Sequence, residues 1–183
     1  MAGPYPGKLI HPIYRSRRRF FFFHCLAVST PTSNFTFLRS EFPTLYTLST
    51  KAEFQLHHDP VAALFKLWVF GEKLVERLFA EHQLPPLVEN TQHRRLEELK
   101  RQGLLPRQVE DMLHLLKRKG NVAAHENSGS FQDAAVLLES VFHLGKWLVD
   151  SYSVMHDPGV PPTFLVPTHR YTQQELAKLE TEK

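Results

Sequence analysis

Asp59-Pro60-Val61-Ala62-Ala63-Leu64-Phe65-Lys66-Leu67-Trp68-Val69-Phe70-Gly71-Glu72-Lys73-Leu74-Val75-Glu76-Arg77-Leu78-Phe79-Ala80-Glu81-His82 is the stretch whose reading decides the fold. Asp59 has the carboxylate that caps a helix, and Pro60 at the first helical position loses no hydrogen bond by lacking an N–H. Val61, Leu64, Phe65, Leu67, Trp68, Val69, Leu74, Val75, Leu78 and Phe79 then cover most of the circumference of a helix over 61–82. A helix apolar on most sides must be covered on most sides, so it belongs at the centre of a bundle. Leu84-Pro85-Pro86 stops it.

The flanking text supplies the cover. Phe37, Leu38, Phe42, Leu45, Leu48, Ala52, Phe54 and Leu56 predict a first helix that ends near His57-His58, with Pro43 near its N-terminus. Leu96 and Leu99 mark a short charged helix over 92–102, closed by Gly103. Pro106 opens a fourth helix, in which Val109, Met112, Leu113, Leu115 and Leu116 recur at helical spacing up to Lys119. Ser130 caps a fifth over 131–153, with Asp133 placed for a capping box and Phe131, Ala134, Ala135, Leu138, Val141, Phe142 and Leu148 on its buried face. No alternating strand pattern of any length occurs, so the reading is all-α: a bundle of about five helices, with Trp68, Phe79, Leu113, Leu138, Phe142 and Trp147 in or near its core.

Between the fourth and fifth helices lies Lys117-Arg118-Lys119-Gly120-Asn121-Val122-Ala123-Ala124-His125-Glu126, basic, polar and interrupted by glycine. One reading ends the helix at Gly120 with a C-cap and leaves His125 in a turn. The other lets the segment turn helically, which puts Asn121 and His125 on one face beside Arg118. Glu72, within the apolar helix, is a candidate partner for Arg118 or His125, because a buried carboxylate is costly unless paired. Alternatively it shares a narrow solvated strip with Lys73 and Glu76.

Composition sets outer limits. In 183 residues there is room for one compact domain, and 42% hydrophobic residues supply a core. The formal charge of +3 draws much of its excess from Arg15, Arg17, Arg18 and Arg19, so it is weak evidence for a nucleic-acid partner. A single cysteine, Cys25, excludes an intramolecular disulfide and favours a reducing, cytoplasmic setting. The 11 histidines show no ligand spacing: His57 and His58 are adjacent and His82, His93, His114, His125 and His143 are scattered, so neither metal nor cofactor is expected. No apolar run approaches the roughly 20 residues that span a bilayer.

Residues 1–32 differ from the rest. Prolines, the arginine cluster and Phe20-Phe21-Phe22-Phe23 ahead of small residues imitate the layout of a secretory signal, but His24 interrupts the apolar run and the leading segment is long. A disordered extension, or a start codon placed too early, accounts for it better. Residues 155–183 hold Pro158, Pro161, Pro162 and Pro167, expected to be extended, and end in an amphipathic stretch with Leu176 and Leu179 on one side, which reads as the truncated start of a further helix.

Five pieces carry a family resemblance: Ser33-Asn34-Phe35-Thr36-Phe37-Leu38, Glu41-Phe42-Pro43-Thr44-Leu45-Tyr46, Asp59-Pro60, Phe70-Gly71-Glu72-Lys73-Leu74-Val75 and Gly120-Asn121-Val122-Ala123-Ala124-His125. Over 33–153 the chain resembles the helical N-terminal domain of unknown function found on type I restriction endonuclease R subunits and related DEAD/DEAH-box helicases, within the HEPN-like superfamily. The resemblance implies a HEPN-like bundle over 33–154. Active members of that superfamily are ribonucleases that use an arginine, a polar residue and, four to six residues on, a histidine, usually across a dimer. Arg118 and His125 fit the widest spacing, assisted by Asn121 and Glu72. In the register with Asn121 as the polar residue, however, Gly120 stands where the arginine should be. That register implies a non-catalytic accessory or regulatory domain that binds a restriction-modification subunit or nucleic acid, DNA or RNA, through Lys117, Arg118, Lys119, Asn121 and His125. The alternative is a metal-independent, toxin-like ribonuclease using Arg118 and His125, possible as a homodimer. No Walker loop, helicase box or nuclease centre occurs in the chain.

Overall fold

The computed structural model describes residues 33–89, 91–155 and 159–168. The expectations for residues 1–32 and for the amphipathic stretch after Tyr171 fall outside them. Among the described residues the fold is all-helical: a 3₁₀ turn (Thr36–Leu38) followed by α1 (Pro43–Gln55), α2 (Pro60–Glu81), α3 (Gln92–Arg101), α4 (Arg107–Glu126) and α5 (Phe131–Tyr152), with no strand.

The second helix is the axis of the bundle and packs against each of the other four α-helices. Its start follows from its sequence: Asp59 Oδ1 accepts from the Ala62 N–H at 2.9 Å, with Pro60 in the first turn. Ala63, Leu64, Leu67, Phe70, Gly71, Leu74, Val75 and Leu78 are buried along it. The chain turns off at Gln83, held in the left-handed region at φ 50°, and the Leu84 N–H reaches back to Phe79 O at 3.1 Å.

The first expected helix is two pieces. Proline tolerates no preceding helical turn that needs its N–H, so α1 begins at Pro43 and the earlier residues form a separate 3₁₀ turn. That turn drops Phe35, Phe37 and Leu38 into the core, where Phe37 meets Phe142 edge-on at 5.9 Å. Leu113, Leu138 and Phe142 are buried and Phe79 and Trp147 pack half-buried against the core, as expected, with Trp68 half-buried against Gly120. Leu96 and Leu99 seat α3, which Gly103 closes at φ 69°.

The described residues 153–155 and 159–168 form neither helix nor strand, yet they are not detached from the bundle. Glu41 accepts from the Ser153 hydroxyl at 2.6 Å and from the Val154 and Met155 N–H groups, which turns the chain off the end of α5. Val160 and Phe164 then pack against the core.

Candidate functional site

Gly120 does not end a helix. α4 runs through it to Glu126 and stops at Asn127, whose φ of 48° and ψ of 41° give the left-handed cap. The glycine answers a packing demand instead. A Cβ at position 120 would lie 2.3 Å from Cβ and 2.5 Å from Cγ of Trp68, so only a bare Cα lets α4 approach α2 there. Gly71 also faces α4, but an added Cβ there would stand 3.4 Å from Leu116, an ordinary contact.

Continuity of α4 fixes the geometry of every candidate on it. Asp111, His114, Arg118, Asn121 and His125 follow one another at alternating spacings of three and four, and all five are exposed. Together they form one solvent-facing stripe. Lys117, half-buried, borders it, and a shallow depression runs along Asp111, His114, Leu115, Lys117, Arg118 and Asn121. All six belong to a single helix, so the feature is a surface groove and not an enclosed cavity.

The basic triplet divides by role. Lys119 reaches Asp133 in the first turn of α5 at 2.6 Å, and this bond holds the Asp133 carboxyl below its ordinary range, helped by the Ser130 hydroxyl at 3.0 Å. The expected capping box is thus a variant, in which Asp133 takes a bond from the Ser130 side chain while the Asp133 N–H donates to Ser130 Oγ at 3.0 Å. Lys119 therefore ties α4 to α5. Arg118 makes no hydrogen bond or ion pair with any of the described residues, and neither does His125. The His125 imidazole is on the solvent side of α4.

Glu72 stays apart from this stripe. Burial pushes its carboxyl up, Glu76 adds to the rise, and Lys73 and Arg95 oppose it; neither Arg118 nor His125 is among its charged neighbours. Glu72 thus lies half-buried beside Lys73, Glu76 and Arg95. Glu76 joins α2 to α3 through Arg95 at 3.3 Å. Arg118 and His125, seven residues apart, face the same way but stand two turns from each other, about 10.5 Å along the axis.

Sequence reasoning missed the buried carboxylate. Glu53 on α1 is only 4% exposed and accepts from the Ser33 hydroxyl, the Asn34 N–H at 3.0 Å and Asn34 Nδ2 at 2.6 Å. Burial pushes its carboxyl up, against the pull of those bonds. The signal was available in a charged residue at an otherwise apolar position next to Ala52 and Phe54. Among the described residues no group of three His, Cys, Asp or Glu could hold a metal ion, and no helix is long and apolar enough to cross a membrane.

Comparison with known proteins gives this geometry a setting. Over 135 residues the chain is 33% identical to the type I restriction enzyme EcoKI endonuclease subunit of Escherichia coli (strain K12), a stretch covering 74% of this chain but 11% of that protein. The chain therefore spans about a tenth of the length of that relative. No solved structure matches. Residues 50–151, from the middle of α1 to the end of α5 and more than half of the chain, match the family described as Domain of unknown function (DUF4145), and the chain belongs to that family.

Proposed function

We propose that this chain is a non-catalytic, HEPN-like accessory domain of a type I restriction R subunit or a related DEAD/DEAH helicase-like defence protein. It docks on a partner through the exposed face of α4, with Arg118, Asn121 and His125 as the contact residues and Lys117 beside them. The observation that carries this reading is the stripe itself: exposed polar side chains of both signs on a helix packed from behind, with Arg118 and His125 making no side-chain bond to the described residues. Similarity to a type I restriction subunit supports the setting.

The composition of the stripe favours a protein subunit over nucleic acid. With Lys119 bound to Asp133, Lys117 and Arg118 are the cations left around the stripe, and Asp111 lies on it. Two phosphate contacts would give a salt dependence with a slope of only about −1.8, too shallow for firm binding to a duplex. The ribonuclease reading draws support from Arg118 and His125 facing the same way. Against it stands the other register, in which Gly120 takes the arginine's place and its close contact with Trp68 leaves no room for a side chain.

The test titrates the other subunits of a type I restriction complex, and separately duplex DNA and structured RNA, into the labelled chain and its Arg118→Ala and His125→Ala variants. Saturable binding of a subunit, weakened by about 1–3 kcal/mol in either variant, is the expected result. Binding of nucleic acid alone, with a slope steeper than about −4 on a logarithmic salt scale, would replace the protein-partner reading.

A further inference from the structure

The segment after α5 is held by a small set of contacts aimed mostly at its backbone. Asn34 Nδ2 donates to Leu165 O at 2.8 Å, while the Leu165 N–H donates to Asn34 Oδ1 at 2.9 Å. One side-chain amide thus pairs with both the N–H and the C=O of a single residue, as a neighbouring β-strand would. His57 Nε2–H donates to Pro167 O at 2.6 Å, its ring lying 4.8 Å from that of Phe131. Of its side chains Val160 and Phe164 pack against the core, the Phe164 ring lying 5.7 Å from that of the buried Phe142. Leu165 and Val166, between Phe164 and the proline, are 70% and 53% exposed.

Within the domain Glu53 sets the orientation of the slot's amide. Glu53 accepts from both the N–H and the Nδ2 of Asn34, which leaves Oδ1 facing the Leu165 N–H and one Nδ2 hydrogen facing the Leu165 carbonyl. A flipped amide would set Oδ1 against the Glu53 carboxylate. Glu53 is thus a positioning residue that orients the amide toward the N–H and C=O of Leu165.

From this arrangement we infer that the slot formed by Asn34, His57 and Phe142 recognises an extended peptide of the form Phe-x-x-Pro, filled here in cis by Phe164-Leu165-Val166-Pro167 and open to the same motif from a partner protein. Recognition through backbone carbonyl and N–H groups plus an aromatic anchor leaves the two intervening residues unread, and proline preorganises the extended conformation at little entropic cost. The tethered copy competes at high effective concentration, so a free peptide gains access only when the cis segment is weakened.

The experiment uses the full chain and a fluorescent peptide with the sequence of residues 159–168. The competing cis segment is weakened by Phe164→Ala with Leu165→Pro, which removes the anchor and the N–H donor while leaving α1 to α5 untouched. The peptide should bind this variant at least about tenfold more tightly than the wild type. A peptide carrying the Phe164→Ala change should not bind, and His57→Phe added to the chain should weaken binding. Equal affinity for both chains, or no binding to either, overturns the inference. Loss of helical circular dichroism in the weakened chain also overturns it, because the segment would then be an integral part of the fold.

Discussion

Gly120 and Gly71 have the same residue type and face the same pair of helices, yet they answer to different physics. Gly120→Ala forces a methyl into the Trp68 side chain at 2.3 Å and should cost roughly 1–3 kcal/mol as overpacking. Gly71→Ala meets only ordinary contacts and gains helix propensity, so it should be neutral or stabilising by up to about 1 kcal/mol. Urea denaturation of the two variants checks the contrast, and equal midpoints would contradict it. Glu53→Ala strips the acceptor from Ser33 and Asn34 in a buried site and should cost about 2–4 kcal/mol. In the sequence Gly120 reads as punctuation, because a glycine after a basic run is the common helix stop. What overrules that reading is a long-range contact with a residue 52 positions earlier, which no local pattern encodes.

At the scale of elements, α4 and α5 are joined by Lys119 and Asp133, side chains 37% and 35% exposed. Their coupling in a double-mutant cycle should be only about 0.2–1 kcal/mol and should shrink in high salt, since solvent screens the pair. Helix identities were legible because Asp59, Thr91 and Ser130 each cap through their own side chains and the buried positions keep a 3.6-residue period. Boundaries failed where one residue serves two roles: Pro43 begins a helix the apolar pattern would start earlier, and Asn127 ends one the glycine would end sooner. The stripe on α4 was half legible. Its residues could be chosen by type, but their common exposure follows only once the helix is known to be continuous. The slot for residues 164–167 was not legible, because its partners lie 110 and 131 positions apart.

Across the described residues of the molecule, carboxyls held below their ordinary range outnumber those pushed above it. Hydrogen bonds from Ser153 lower Glu41, from Lys73 lower Glu76, from Lys100 lower Glu110 and from Lys119 lower Asp133, while Arg101 brings Glu98 to about 2. Each such group stabilises the fold above its unfolded value and loses that contribution as the pH falls through its folded value. Melting temperature should therefore decline between about pH 4.5 and 2. Glu53 has the opposite sign: its raised value favours the fold below the unfolded value, and that contribution is lost as the pH rises through the folded one, an effect Glu53→Gln should remove. The central claim is that α4 displays Arg118, Asn121 and His125 as a contact face without catalytic chemistry. Its most direct test incubates the wild-type chain and His125→Ala with single-stranded and structured RNA in the presence of a metal chelator, and follows melting in parallel. The account predicts no cleavage by either protein and, because His125 is exposed, melting temperatures that agree within error. Cleavage by the wild type that disappears in His125→Ala, with the fold unchanged, would contradict it.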